Sequence, residues 1–166
     1  MANVTFNNDP VTLAGKEVKV GDTAPDFKVV SNDLQDVTLS DYKGKIKLIA
    51  AVPSVDTGVC ATETKRFNEE AEKLDNVQVL TISMDLPFAQ GRWKSSNDIK
   101  NLELLSDHRD ADFGEKYGAL ITELRLLARA VFVVDSKDKV TYVQYVDEVT
   151  DYPDYEAALE AAKSSQ

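Results

Sequence analysis

One cysteine, one histidine and one tryptophan occur among the 166 residues, and the scarcity of the first sets the terms for everything else. A single thiol cannot close a disulfide within the chain, and the count fits a reducing compartment. Long apolar runs are also missing, so nothing reads as a transmembrane span. Residues 1–6 lack the basic start and extended apolar stretch of a secretory signal, which sets a cytoplasmic location as the expectation. Positive charge is in short supply: 19 lysines and arginines face 29 acidic residues, for a net charge of −10. That balance repels phosphate backbones and anionic lipid, and excludes nucleic acid and membrane surfaces as the main partner. Lys43, Lys45 and Lys47 form the densest basic group, which reads as a solvated strand edge without function. Internal repeats, low-complexity tracts and linker-like breaks are absent too, so residues 1–166 read as one domain, long enough to bury a sizeable core.

What is present alternates between strand and helix patterns. Val4-Thr5-Phe6 and Val11-Thr12-Leu13, around Asn7-Asn8-Asp9-Pro10, predict an N-terminal hairpin. Residues 17–20 alternate charged and apolar side chains and predict a half-buried strand; further short strands are expected at 27–30 and 37–40. Residues 46–52 are almost continuously apolar up to Pro53, the pattern of a strand buried on both faces. Residues 61–74 predict a helix with Val59, Phe67, Ala71 and Leu74 sharing a face and Glu63, Glu69, Glu70 and Glu72 lying off it. A strand at 77–82 completes a strand–helix–strand unit and makes the fold α/β. A weak helix over 89–99, a strand at 102–105 and a brief helix closed at Gly118 follow. Residues 130–134 and 140–146 predict an antiparallel hairpin, and 155–163 a final helix begun by Pro153-Asp154.

The informative stretch is Pro53-Ser54-Val55-Asp56-Thr57-Gly58-Val59-Cys60. It follows the carboxyl end of the central strand, where ligands of such sheets bind, and it places the only cysteine at a helix start. A helix N-terminus favours the thiolate, the reactive form. The competing reading is a small buried core residue, the usual state of a free cysteine. The loop at 83–88, after the next strand, should flank the same end of the sheet. His108, in a polar loop, reads as a surface residue rather than a base.

This loop, Ser83-Met84-Asp85-Leu86-Pro87-Phe88-Ala89-Gln90, Leu105-Ser106-Asp107-His108-Arg109-Asp110, Leu126 to Asp135 and Pro153 to Leu159 together resemble the thiol peroxidases, the Tpx subfamily of peroxiredoxins. The resemblance implies a thioredoxin-like fold with a central mixed β-sheet flanked by helices and an N-terminal β-hairpin. It also implies a homodimer that reduces hydrogen peroxide and organic or lipid hydroperoxides, with no cofactor and no metal. By the same resemblance Cys60 is the peroxidatic cysteine, Thr57 orients peroxide and sulfur, Pro53 shields the thiolate and Arg129 supplies positive charge. Thr57 and Cys60 are three apart in a first helical turn and can face one pocket. Arg129 directly precedes a predicted strand, and its cation would favour the thiolate and polarise the O–O bond. Taken singly, Thr57 could be a mere cap, Pro53 a loop terminator and Arg129 a surface ion-pair partner. The chain departs from the family at Lys94, where most relatives hold a resolving cysteine. Recycling through thioredoxin is therefore not implied, and an external thiol is expected as reductant. Two alternatives are a redox relay forming mixed disulfides and a catalytically silent binding module.

Overall fold

The computed structural model describes residues 3–165. A seven-stranded sheet forms its centre, in the order β12-β11-β6-β7-β8-β4-β5. These strands are β4 (Lys28–Val30), β5 (Asp36–Thr38), β6 (Ile46–Ala51), β7 (Val77–Ser83), β8 (Glu103–Ser106), β11 (Ala130–Val134) and β12 (Val140–Tyr145). The sheet is mixed: β6 pairs parallel with β7 and β7 with β8, whereas β11 runs antiparallel to both β6 and β12.

Every residue of β6 is buried, as the apolar run predicts. Its side chains alternate between two cores because strand residues point to opposite faces. Leu48 and Ala50 join Phe67, Val131, Val133, Ala158 and Leu159 on the face covered by helices α1 (Gly58–Ala71) and α4 (Tyr155–Ser164). Ile49 and Ala51 join Phe27, Phe113, Tyr117 and Phe132 on the other face, beside the short helix α3 (Asp112–Lys116). Lys47 contradicts the solvated-edge expectation. It is fully buried, with Nζ 2.7 Å from Asp138 Oδ1 and 3.3 Å from the Asp135 carbonyl, so a partner in the β11–β12 turn makes its burial tolerable.

The N-terminal hairpin pairs β1 (Val4–Phe6) with β2 (Asp9–Val11), Val4 opposite Val11. Its turn is shorter than the composition suggests, because Asn7 and Asn8 both take positive φ, 52° and 70°, as a two-residue hairpin turn requires. No strand forms at residues 17–20. There the Val18 N–H donates to the Tyr145 hydroxyl at 2.8 Å and the Lys19 N–H to Asp22 Oδ2 at 2.9 Å, so side chains take the donors that a ladder would need. Instead β3 (Leu13–Ala14), β9 (Leu120–Ile121) and β10 (Leu126–Leu127) make a small three-stranded sheet that residue patterns do not announce. The predicted strand at 37–40 is cut short after β5 by a 3₁₀ turn, Leu39–Tyr42. Helix α2 spans Pro87–Ser96, two residues earlier than expected, with its proline in the first turn.

Candidate active site

Helix α1 begins earlier than its apolar face suggests, because Thr57 caps it. The Thr57 hydroxyl accepts from the Cys60 N–H at 3.3 Å and donates to the Ser54 carbonyl at 3.2 Å. The cap satisfies one of the free N–H groups of the first turn and fixes Cys60 within it. The cysteine is completely buried, and its carbonyl accepts from the Thr64 hydroxyl at 2.8 Å.

The loop before the cap is held from the neighbouring strand end. Asp85 accepts from the Ser54 hydroxyl at 2.7 Å, the Val55 N–H at 2.9 Å and the Ser83 hydroxyl at 2.7 Å. Gln90, buried in α2, donates to Ser83 Oγ at 3.0 Å and to the Leu105 carbonyl at 2.8 Å. The loops after β6 and β7 therefore share one hydrogen-bonded frame, as their place at the same end of the sheet predicts. Asp85 and Gln90 belong to the motif at residues 83–90, where residue patterning alone gives them no role.

Arg129 arrives from the segment between β10 and β11. It is 2% exposed and uses three nitrogens: Nε donates to the Val149 carbonyl at 2.8 Å, Nη1 to Glu63 Oε1 at 2.8 Å and Nη2 to Cys60 Sγ at 3.0 Å. Burial alone would weaken its charge, but Glu63 and Cys60 beside it hold its pKa above the ordinary value. A guanidinium this close stabilises negative charge on sulfur. Glu63 overturns the expectation that it lies on the wet side of the helix. It is fully buried, one turn beyond Cys60, while Glu69 and Glu72 are exposed. Burial pushes its carboxyl up to about 7 against the opposing pull of Arg129.

A pocket of about 200 Å³ opens over this cluster, lined by Phe6, Pro53, Thr57, Val59, Arg129 and Val149 among others. Its walls are mostly apolar, with Thr57 and Arg129 as the polar end. Val59, expected on the core face of α1, is half-buried and serves as one of those walls. The hairpin reaches the pocket because Glu148 clasps it, accepting from the Thr5 hydroxyl at 2.8 Å, the Asn7 N–H at 3.2 Å and the Asn8 N–H at 2.8 Å. Of the sequence-predicted site residues, Pro53, Thr57 and Arg129 line this pocket, and the buried Cys60 is bonded to two of them, Thr57 and Arg129. Lys94 does not: it lines a separate recess of about 280 Å³ with Tyr42 and Glu103. His108 is half-buried in the loop after β8.

A sequence profile of the Redoxin family matches residues 19–159. A thiol peroxidase of Oceanobacillus iheyensis is 67% identical over 159 residues, covering 96% of this chain and 97% of that protein. The chain belongs to the thiol peroxidases. The thiol peroxidase of Bacillus subtilis is 58% identical over 164 residues, covering 99% of this chain and 98% of that protein. Among solved structures, a peroxiredoxin-like protein from Aquifex aeolicus superposes with a TM-score of 0.94 at 46% identity, covering 100% of this chain and 98% of its own. The thioredoxin-like fold, the N-terminal strand pair and the assignment as a thiol-dependent peroxidase stand together. A silent module or a dedicated relay is not favoured. Among the described residues no helix is long and apolar enough to cross a membrane.

Proposed function

We propose that Cys60 is the peroxidatic cysteine of this thiol peroxidase and that Thr57, Arg129 and Pro53 build its peroxide site. The observation that carries this reading is the 3.0 Å contact between Arg129 Nη2 and Cys60 Sγ in a buried setting. A hydroperoxide enters the pocket with its organic tail against Phe6, Val59 and Val149 and its O–O end toward Thr57 and Arg129. The apolar walls favour organic hydroperoxides, lipid ones included, while hydrogen peroxide also fits. Thr57 Oγ1 has a lone pair left to accept the peroxide O–H. The Cys60 thiolate attacks the near peroxide oxygen, the S–O bond forms and the O–O bond breaks. Two electrons pass from sulfur to the departing oxygen, whose growing charge Arg129 stabilises, leaving a sulfenic acid and an alkoxide or hydroxide that takes up one proton to become an alcohol or water. Pro53, buried in the wall of the same pocket, limits access to the sulfur.

With one cysteine in the sequence, the sulfenic acid is reset by an external thiol. A first thiol forms a mixed disulfide with Cys60 and releases water; a second displaces it and restores Cys60. The protein works as a homodimer in the bacterial cytoplasm on this reading. Mixing reduced protein with substoichiometric alkyl hydroperoxide should consume the Cys60 thiol and add one oxygen by mass within seconds. Slow or absent consumption sinks the reading.

A further inference from the structure

Resting on that reading, the geometry points to Glu63 as the proton store of the reaction: it holds the proton that the Cys60 thiol gives up and releases it when the sulfur is oxidised. One guanidinium serves two acids. Arg129 Nη1 bonds Glu63 Oε1 and Nη2 bonds Cys60 Sγ, both acids are completely buried, and no second cation is bonded to either among the described residues. Thiolate and carboxylate together would leave this dry site with a net negative charge. A buried excess charge is far costlier than a proton carried by one of the pair.

The other carboxylate oxygen says where that proton sits. Glu63 Oε2 is buried and accepts no hydrogen bond among the described residues. An ionised oxygen without a donor is expensive, whereas a protonated one is a neutral acid whose Oε1 still accepts from Arg129. Three groups face Glu63: Arg129 from the segment before β11, Cys60 one turn back on α1, and Tyr155 from α4. The Tyr155 hydroxyl is likewise buried and unpartnered, and its pKa is raised by burial first and by the Glu63 charge next. Its ring packs edge-on to Phe67, with centroids 5.3 Å apart, which holds it over the same face of α1. Around Tyr155 lie Arg66, 4.9 Å from the ring centroid, and Tyr152. Neither contact supplies a donor to Oε2. Burial, the largest influence on the Glu63 carboxyl, raises it against the pull of Arg129, in the direction that favours the proton.

The step then balances. Cys60 thiolate, protonated Glu63 and ROOH become Cys60 sulfenic acid, ionised Glu63 and ROH. Sulfur loses two electrons, the O–O bond gains them, and total charge is unchanged. Oxidation itself releases the proton, because a neutral sulfenic acid no longer competes for Arg129, which then pairs fully with Glu63. Glu63 touches neither peroxide nor sulfur and acts through Arg129, so it is a positioning residue with a titration of its own.

Oxidised-minus-reduced infrared difference spectra of the whole protein test this. A carboxylic-acid C=O band should disappear on peroxide addition, and the loss should be missing in Glu63→Gln. No lost band in the wild type, or the same loss in Glu63→Gln, overturns the proposal. A second readout needs no infrared assignment: a pH-indicator dye in weakly buffered solution, with uptake normalised to the thiolate absorbance consumed. Wild type should take up close to no proton per thiolate oxidised near neutral pH, and Glu63→Gln one. Equal uptake in both refutes it. Oxygen addition at Cys60, measured by mass in the same samples, separates failure of the store from failure of the peroxidatic assignment.

Discussion

The Val149 carbonyl accepts from Arg129 Nε at 2.8 Å, so a wall of the substrate pocket also aims the cation at its base. Val149 is tied in turn to the hairpin, its N–H donating to the Thr5 carbonyl at 2.9 Å. Pocket shape and sulfur electrostatics are therefore set by the same few bonds.

Replacing Arg129 by Met should lower kcat/KM for peroxide by about 10²–10³-fold, the cost of losing one preorganised donor. It also leaves the buried Glu63 Oε1 without its donor, which costs about 1–3 kcal/mol. Adding Glu63→Leu to Arg129→Met removes the orphaned group and should restore much of the stability in chemical denaturation and none of the activity. Parallel recovery of both would contradict the separate roles assigned here.

Thr57→Val removes the cap of α1 and the acceptor proposed for peroxide. Stability should fall by about 1 kcal/mol. Thr57→Ser keeps the hydroxyl and should retain both the stability and most of the peroxidase rate. Steady-state kinetics beside urea melts of the two variants decide this, and a fully active Thr57→Val would rule out a role in orienting peroxide.

The hairpin clasp carries a pH signature. Hydrogen bonds, first from the Thr150 side chain and then from the Asn8 N–H, pull the Glu148 carboxyl down to about 2. A carboxyl depressed in the folded state stabilises above its unfolded value, and that stabilisation disappears as pH falls through the folded one. Wild type should lose stability between about pH 4 and pH 2 more steeply than Glu148→Gln. The variant should also show a raised KM for bulky hydroperoxides, because Phe6 is no longer held. Superimposable acid titrations would remove the clasp from the account.

Glu63 acts in the opposite sense. Its carboxyl is raised in the folded state, so folding takes up a proton there and stability falls as pH rises from about 4.3 to about 7. Denaturant midpoints followed across that window should fall for wild type and stay flatter for Glu63→Gln, all other groups being equal. An identical slope in the two proteins would place the proton elsewhere.

Much of the site could be read before any coordinates. Pro53, Thr57 and Cys60 lie in one contiguous motif, and Arg129 enters only through the resemblance to the thiol peroxidases, its place before a buried strand being compatible with the role. Glu63 could not be read this way. Helical spacing sorts residues by their neighbours on one helix, and by that rule a glutamate among glutamates belongs in water. Its burial depends on a guanidinium 66 positions away, a distance that periodicity does not sense. Lys47 is hidden for the same reason, its partner lying 91 positions on. The apolar strands were legible because burial on both faces leaves a continuous run. The strand expected at 17–20 failed because alternation describes a side-chain pattern and says nothing about which group, here a tyrosine hydroxyl, will take the backbone donor.

Asp85 joins the cysteine loop to the next strand end through bonds to Ser54, Val55 and Ser83, and Cys60 is closed to solvent while they persist. Presenting the sulfur to a bulky protein thiol requires this region to open as a unit, and the buried Val55 amide can exchange with deuterium only when it does. The exchange rate of that one amide therefore reports how often the region opens, readable without any peroxide or reductant present.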